Sequence, residues 1–228
     1  MKFLLTSAGL TSKTLVMALE DLLGKPLSEA SVLFIITAAN TGHDDKSWMI
    51  KNICEFEQYN FKSINVLDFA GLPSEVWQPH FDCADVICFG GGDERYLARS
   101  LEAAGIKEYL LSVLETKVFM GISAGSMVAG RLLPAQLNRA LFVEEDFGND
   151  VGEGMELLPF SFVPHLNSTF FSLREERLEG MKEQFPNPVY ALDDFTALAV
   201  FDGVVTKVGD GVSLYYKMSG NTTPREGK

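Results

Sequence analysis

Lys117-Val118-Phe119-Met120-Gly121-Ile122-Ser123-Ala124-Gly125-Ser126 is the stretch from which the chain is read. An apolar run of strand character enters Gly-x-Ser-x-Gly, and small residues open a helix directly behind it. In that setting the pattern describes a nucleophile elbow, a sharp strand-to-helix turn that lifts a serine hydroxyl above a sheet. Glycines on either side remove the Cβ atoms that would obstruct close backbone approach. The N–H after the serine and the dipole of the helix start favour an oxyanion at the same point. Without its flanks the pentapeptide is a tight turn with no chemistry; here both flanks are present.

Outward from the elbow, Asp85-Val86-Ile87-Cys88-Phe89 is another apolar run and ends in Gly90-Gly91-Gly92-Asp93. Runs at 3–6, 31–36 and 63–67 also read as strands, and helical periodicity covers 13–23, 46–59, 94–104 and 107–115. Continuous apolar runs indicate strands covered on both faces. Their alternation with helices implies right-handed crossovers and a mostly parallel sheet flanked by helices. Beyond the elbow, residues 144–150 read as an acidic surface loop. A short strand at 160–163 delivers Pro164-His165, and a charged helix covers 173–184. Short strands at 189–192, 197–201, 204–207 and 213–216 follow. Asp202-Gly203 signals a hairpin and Asp210-Gly211 a further turn. Residues 219–228 read as a frayed polar tail. No linker divides residues 1–228, which are expected to form one domain.

Composition narrows the function classes. The chain has 228 residues, 46% hydrophobic and 22% charged, with a formal net charge of -12. Such acidity argues against a nucleic-acid partner, because phosphate binding needs a basic face. The first apolar run is too short for a signal peptide or a membrane span, so a cytoplasmic location is expected. Cys54, Cys83 and Cys88 lack metal-ligand spacing and form no disulfide framework. Cys54 and Cys88 read as buried small hydrophobes.

A serine hydroxyl needs a base before it attacks a carbonyl. Of His43, His80 and His165, only His165 lies C-terminal to the serine, the order of the α/β-hydrolase arrangement. His80 reads as part of a surface turn. Asp193 and Asp194, at a strand end, are candidates for the carboxylate that orients the base, or simply cap a turn. Asp146 and Asp150 stay open, as does a Ser-His dyad. Gly90-Gly91-Gly92 lacks the lysine of a phosphate loop and instead suits a second oxyanion donor, from Gly91 or Gly92, beside the N–H of Ala124. Arg174 and Arg177, three apart, share a helix face; they either pair with neighbouring glutamates or hold a substrate carboxylate.

Phe89-Gly90-Gly91-Gly92-Asp93, Gly121-Ile122-Ser123-Ala124-Gly125-Ser126, Pro164-His165, Arg174-Glu175-Glu176-Arg177-Leu178 and Leu192-Asp193-Asp194-Phe195-Thr196-Ala197-Leu198 together resemble the peptidase E family. These are serine peptidases of clan PC that include the cyanophycinases. The resemblance implies a three-layer α/β sandwich like that of class I glutamine amidotransferases, ending in β-hairpin strands. It implies Ser123 as nucleophile, His165 as base, Asp194 or Asp193 as the acid, and an oxyanion hole near Gly91 and Ala124. Arg174 matches the arginine that binds a substrate aspartate. The implied activity is hydrolysis of dipeptides with an N-terminal aspartate, or of β-aspartyl bonds, without metal or cofactor; separately, a monomer or homodimer is expected. The chain departs from peptidase E proper in carrying Asp93-Glu94 where that pattern has Asn-Thr. It also has a shorter segment, with Phe170-Phe171, between the histidine and Arg174.

Overall fold

The computed structural model describes residues 1–43, 45–143, 153–171 and 173–217. The acidic loop at 144–150, with Asp146 and Asp150, and the tail at 219–228 lie outside the described residues. The strands are β1 Lys2–Thr6, β2 Ser31–Ile35, β3 Ser63–Leu67, β4 Val86–Phe89, β5 Val118–Ile122, β6 Ser161–Val163, β7 Val189–Leu192, β8 Thr196–Phe201, β9 Val204–Gly209 and β10 Ser213–Tyr216. They form a seven-stranded sheet in the order β3-β2-β4-β5-β1-β8-β9 and a three-stranded sheet in the order β10-β7-β6. β1 to β5 are parallel, and β8 and β9 add antiparallel at one edge.

The helices are α1 Lys13–Leu23, α2 Ser47–Gln58, α3 Ser74–Cys83, α4 Glu94–Ala103, α5 Ile106–Val113, α6 Ala124–Ala129, α7 Ala135–Leu141 and α8 Arg174–Met181. Alternate residues of the central strands feed opposite faces of the sheet, as a period of two requires. Phe3, Leu5, Ile87, Phe89 and Phe119 join one core with residues of α3 to α6. Leu4, Val86, Cys88, Val118 and Met120 join a second core with Leu15 and Leu19 of α1 and Phe56 of α2. Two cores on one sheet are what the continuous apolar runs demanded, and they make the fold a three-layer α/β sandwich.

Local signals place the elements. Ser12 caps α1 by accepting the Leu15 N–H, and Gly24 ends it in the left-handed conformation. Asp93 caps α4 through the N–H groups of Arg95 and Tyr96, which accounts for an aspartate after the glycines. Asp202 and Gly203 both have positive φ, the geometry of a two-residue hairpin between β8 and β9.

Several sequence expectations need correction. His80 lies within α3, not in a surface turn; Pro79 inside that helix masked the signal, since proline removes a backbone donor. Cys54 is exposed on α2, whose inward face carries Asn52 and Phe56. α7 was not anticipated. Asp210-Gly211 does separate β9 from β10 as expected, and β10 then pairs with β7 in the three-stranded sheet.

Candidate active site

β5 is buried along its whole length between β4 and β1, and the chain turns sharply at its end. Ser123 has φ 50° and ψ -111°, a region that costs a non-glycine residue about 1–3 kcal/mol. The surroundings hold it there. A Cβ on Gly121 would lie 2.6 Å from the Ser126 nitrogen, and one on Gly125 would lie 1.9 Å from the Phe89 carbonyl oxygen. Both glycines therefore let α6 press against β5 and β4. Ser126, fully buried, donates to the Thr6 carbonyl at 2.8 Å and accepts the Thr6 N–H at 3.0 Å. The Ser123 N–H donates to the same carbonyl.

The glycine loop after β4 faces the same crevice. Gly91 borders the serine: a Cβ there would meet Ser123 Cβ and the Trp48 ring, each at 3.4 Å. Gly92, at φ 132°, has a different reason to be glycine. A Cβ on it would strike the Ala38 carbonyl oxygen at 2.1 Å. Ala124 opens α6, so its N–H is among those with no intrahelical partner. Gly91 and Ala124 flank Ser123, whereas Gly92 is fitted to the loop after β2.

His165 and Asp194 come from the other sheet, two residues beyond the ends of β6 and β7. The imidazole Nε2 is 3.0 Å from Ser123 Oγ, and Nδ1 is 2.6 Å from Asp194 Oδ1. An ionised carboxylate only accepts hydrogen bonds, so Nδ1 carries the hydrogen. That leaves Nε2 as the acceptor for the Ser123 hydroxyl. The side chains of His165 and Asp194 are 19% and 32% exposed, so the pair opens onto solvent on one side. Asp193, the other sequence candidate, turns away. Its carboxylate accepts the Phe195 and Val212 N–H groups at 3.0 and 2.6 Å and fixes the start of β10.

Residues not singled out from the sequence hold the two sheets in register here. Ser7, just beyond β1, donates to the Leu192 carbonyl at 2.9 Å and accepts the His165 N–H at 3.1 Å. Thr11 donates to the Asp194 carbonyl at 2.7 Å. Both lie in an ordinary Ser/Gly/Thr turn, and nothing in its composition indicates partners more than 150 residues away.

Arg174 and Arg177 do not both enter the crevice. Arg177 donates to the Leu141 carbonyl at 3.2 Å. Arg174 is 1% exposed, donates to the Pro164 carbonyl at 2.6 Å, and lies between the rings of Phe142 and Phe171. Phe171 also stacks on His165, at 5.4 Å between ring centres. Beside this stack is a cleft of about 900 Å³ bordered by Asn167, Arg174, Glu175, Glu176, Glu179 and Tyr216. Burial raises the proton affinity of Glu94, at the start of α4, above the ordinary glutamate range; hydrogen bonding from Asn138 and the Arg95 charge oppose that only in part. Among the described residues no three His, Cys, Asp or Glu side chains are grouped to hold a metal, and no helix is long and apolar enough to cross a membrane.

A family model described as peptidase family S51 matches residues 3–208. No curated protein matches the chain significantly. Among solved structures, a protein of Listeria monocytogenes EGD-e provisionally named a peptidase E is similar at 17% identity and TM-score 0.69, over 96% of this chain and 98% of that one. A peptidase from an acI-B1 actinobacterium is similar at 20% identity and TM-score 0.68, over 100% of this chain and 95% of that one. These two likenesses establish the fold. The match over 3–208 shows that the chain belongs to peptidase family S51, and membership makes it a peptidase by family.

Proposed function

We propose that this chain is a serine peptidase of short peptides, with Ser123 as nucleophile, His165 as base and Asp194 as the carboxylate that orients the base. The observation that carries this reading is the unbroken line Ser123 Oγ, His165 Nε2, His165 Nδ1, Asp194 Oδ1, with separations of 3.0 and 2.6 Å at its two hydrogen bonds. His165 takes the hydroxyl proton as Ser123 Oγ bonds to the scissile carbonyl carbon. The carbonyl oxygen becomes an anion beside the N–H groups of Ala124 and Gly91. The C–N bond then breaks, and His165 gives its proton to the leaving amine. Water repeats the sequence to release the acyl group and restore Ser123. Asp194 stabilises the imidazolium formed in between.

The finer expectation, an N-terminal aspartate at the cleaved position, requires a guanidinium within reach of the substrate carboxylate. Arg174 is engaged behind Phe171, and Glu175, Glu176 and Glu179 border the neighbouring cleft. Arg174 borders that cleft as well, but three carboxylates against one guanidinium that already donates to the Pro164 carbonyl leave little attraction for an acidic group, so general short-peptide hydrolysis is proposed ahead of strict acidic selectivity. The test is turnover of Asp-Leu, Asn-Leu and Ala-Leu by the wild-type chain and by Ser123→Ala. Serine-dependent turnover is expected, with Asp-Leu and Asn-Leu of similar rank. Turnover undiminished in Ser123→Ala would remove the proposal. A strong preference for Asp-Leu over its isostere would restore the aspartate reading.

A further inference from the structure

We infer that Arg174 is a positioning residue for His165, acting through Phe171 and the Pro164 carbonyl; the inference rests on His165 being the base for Ser123. Four planar groups lie in sequence: Phe142, the Arg174 guanidinium, Phe171 and the His165 imidazole. The guanidinium carbon is 4.3 Å from the Phe142 ring centre and 4.2 Å from that of Phe171. Phe171 and His165 are stacked at 26° between planes. At its edge the same guanidinium donates to Pro164 O at 2.6 Å, the carbonyl of the peptide bond that enters His165.

His165 needs such support because its backbone is in the left-handed region, at φ 59°. A residue with a Cβ does not rest there unless its neighbours hold it. Ser7 holds the His165 N–H, and the Leu166 N–H is held by the Leu192 carbonyl. Arg174 fixes the remaining side, the carbonyl before the residue. The ring itself is located at its edge by Asp194 and across its face by Phe171. Phe171 is only partly buried and sits in the turn closed by its N–H to the Ser168 carbonyl, next to Phe170, which is 73% exposed. A planar cation packed over such a ring restrains it. Guanidinium supplies a plane and directed N–H groups together; a lysine ammonium supplies neither the plane nor the fork.

This assignment gives Arg174 a duty that is independent of substrate charge, and the two duties separate kinetically. Arg174→Lys, Arg174→Gln and Phe171→Leu are compared with wild type on Asp-Leu and Ala-Leu, alongside thermal melting. All three variants are expected to lose about tenfold or more in kcat on both substrates, with KM little changed, because a displaced base slows every acyl transfer. Phe171→Leu carries no charge change and keeps the loop, so it decides the matter if the arginine variants fold poorly. A rise in KM confined to Asp-Leu, with Ala-Leu untouched, would overturn the inference in favour of a carboxylate clamp. Wild-type kcat in Phe171→Leu would overturn it as well. Failure of the wild-type chain to cleave either peptide would instead remove the underlying reading of Ser123 and His165.

Discussion

Ser123 stands at the end of β5 in the seven-stranded sheet, whereas His165 and Asp194 follow β6 and β7 in the three-stranded one. The serine is placed by its own neighbourhood. Strand, turn and helix are contiguous, and Gly121, Gly125 and Ser126, all within three residues of the hydroxyl, fit them against the Phe89 and Thr6 backbone of neighbouring strands. The histidine and aspartate are held by Ser7 and Thr11, more than 150 residues away in the chain, and from nearer by Arg174. One half of the site is thus a local device and the other an assembly across a seam. Changes on the serine side should abolish the chemistry outright. Changes along the seam should misalign it by degrees.

The largest expected effect follows from removing either reacting group. Ser123→Ala and His165→Ala should each lower kcat by a factor on the order of 10⁴ to 10⁶, and the double variant should be no worse than the singles. Additive losses measured in steady-state kinetics would mean that the two residues do not act as one unit. Next comes the contrast between the adjacent aspartates. Asp194→Asn should cost about 10⁴ in kcat by disturbing the tautomer of His165. Asp193→Ala should spare most of kcat and instead lower the unfolding free energy by about 1–3 kcal/mol, through loss of the bonds to Phe195 and Val212. Parallel denaturation and turnover measurements would expose a reversal of these roles.

A smaller loss is expected at the seam. Ser7→Ala removes the hydroxyl that joins Leu192 to His165, and kcat should fall about tenfold to a hundredfold with an intact fold by circular dichroism. An unchanged kcat would mean that the seam does not locate the base. The smallest effect lies away from the reacting atoms, at Glu94. Its buried carboxyl holds a proton more tightly when folded than when unfolded, mainly because burial disfavours the charge. Wild-type stability should therefore fall, relative to Glu94→Gln, as pH rises from the ordinary glutamate range to the raised value, and the two should converge in acid. Melting temperatures across that interval read the difference.

The same division explains what could be read from the chain before its structure. The central strands, most helices and the elbow were legible because each is encoded by consecutive residues, as in the apolar runs of β2 and β4. The candidate base is picked out by order alone, since only one histidine follows the serine, and His165 is the one that lies beside Ser123. Between Asp193 and Asp194 sequence could not choose. The choice depends on which carboxylate meets an imidazole from another strand and which meets the N–H of Val212. The burial of Arg174 was not legible, because its partners Phe142, Phe171 and Pro164 are gathered only by folding.

The most direct measurement is the site of covalent labelling by a fluorophosphonate, located by mass spectrometry of the digested protein. The reagent reacts with a serine whose proton is being taken by a base. The expected result is a single label on Ser123, lost when His165 is replaced by alanine. An unlabelled Ser123, or labelling undiminished in His165→Ala, would contradict the pairing of hydroxyl and imidazole across the two sheets.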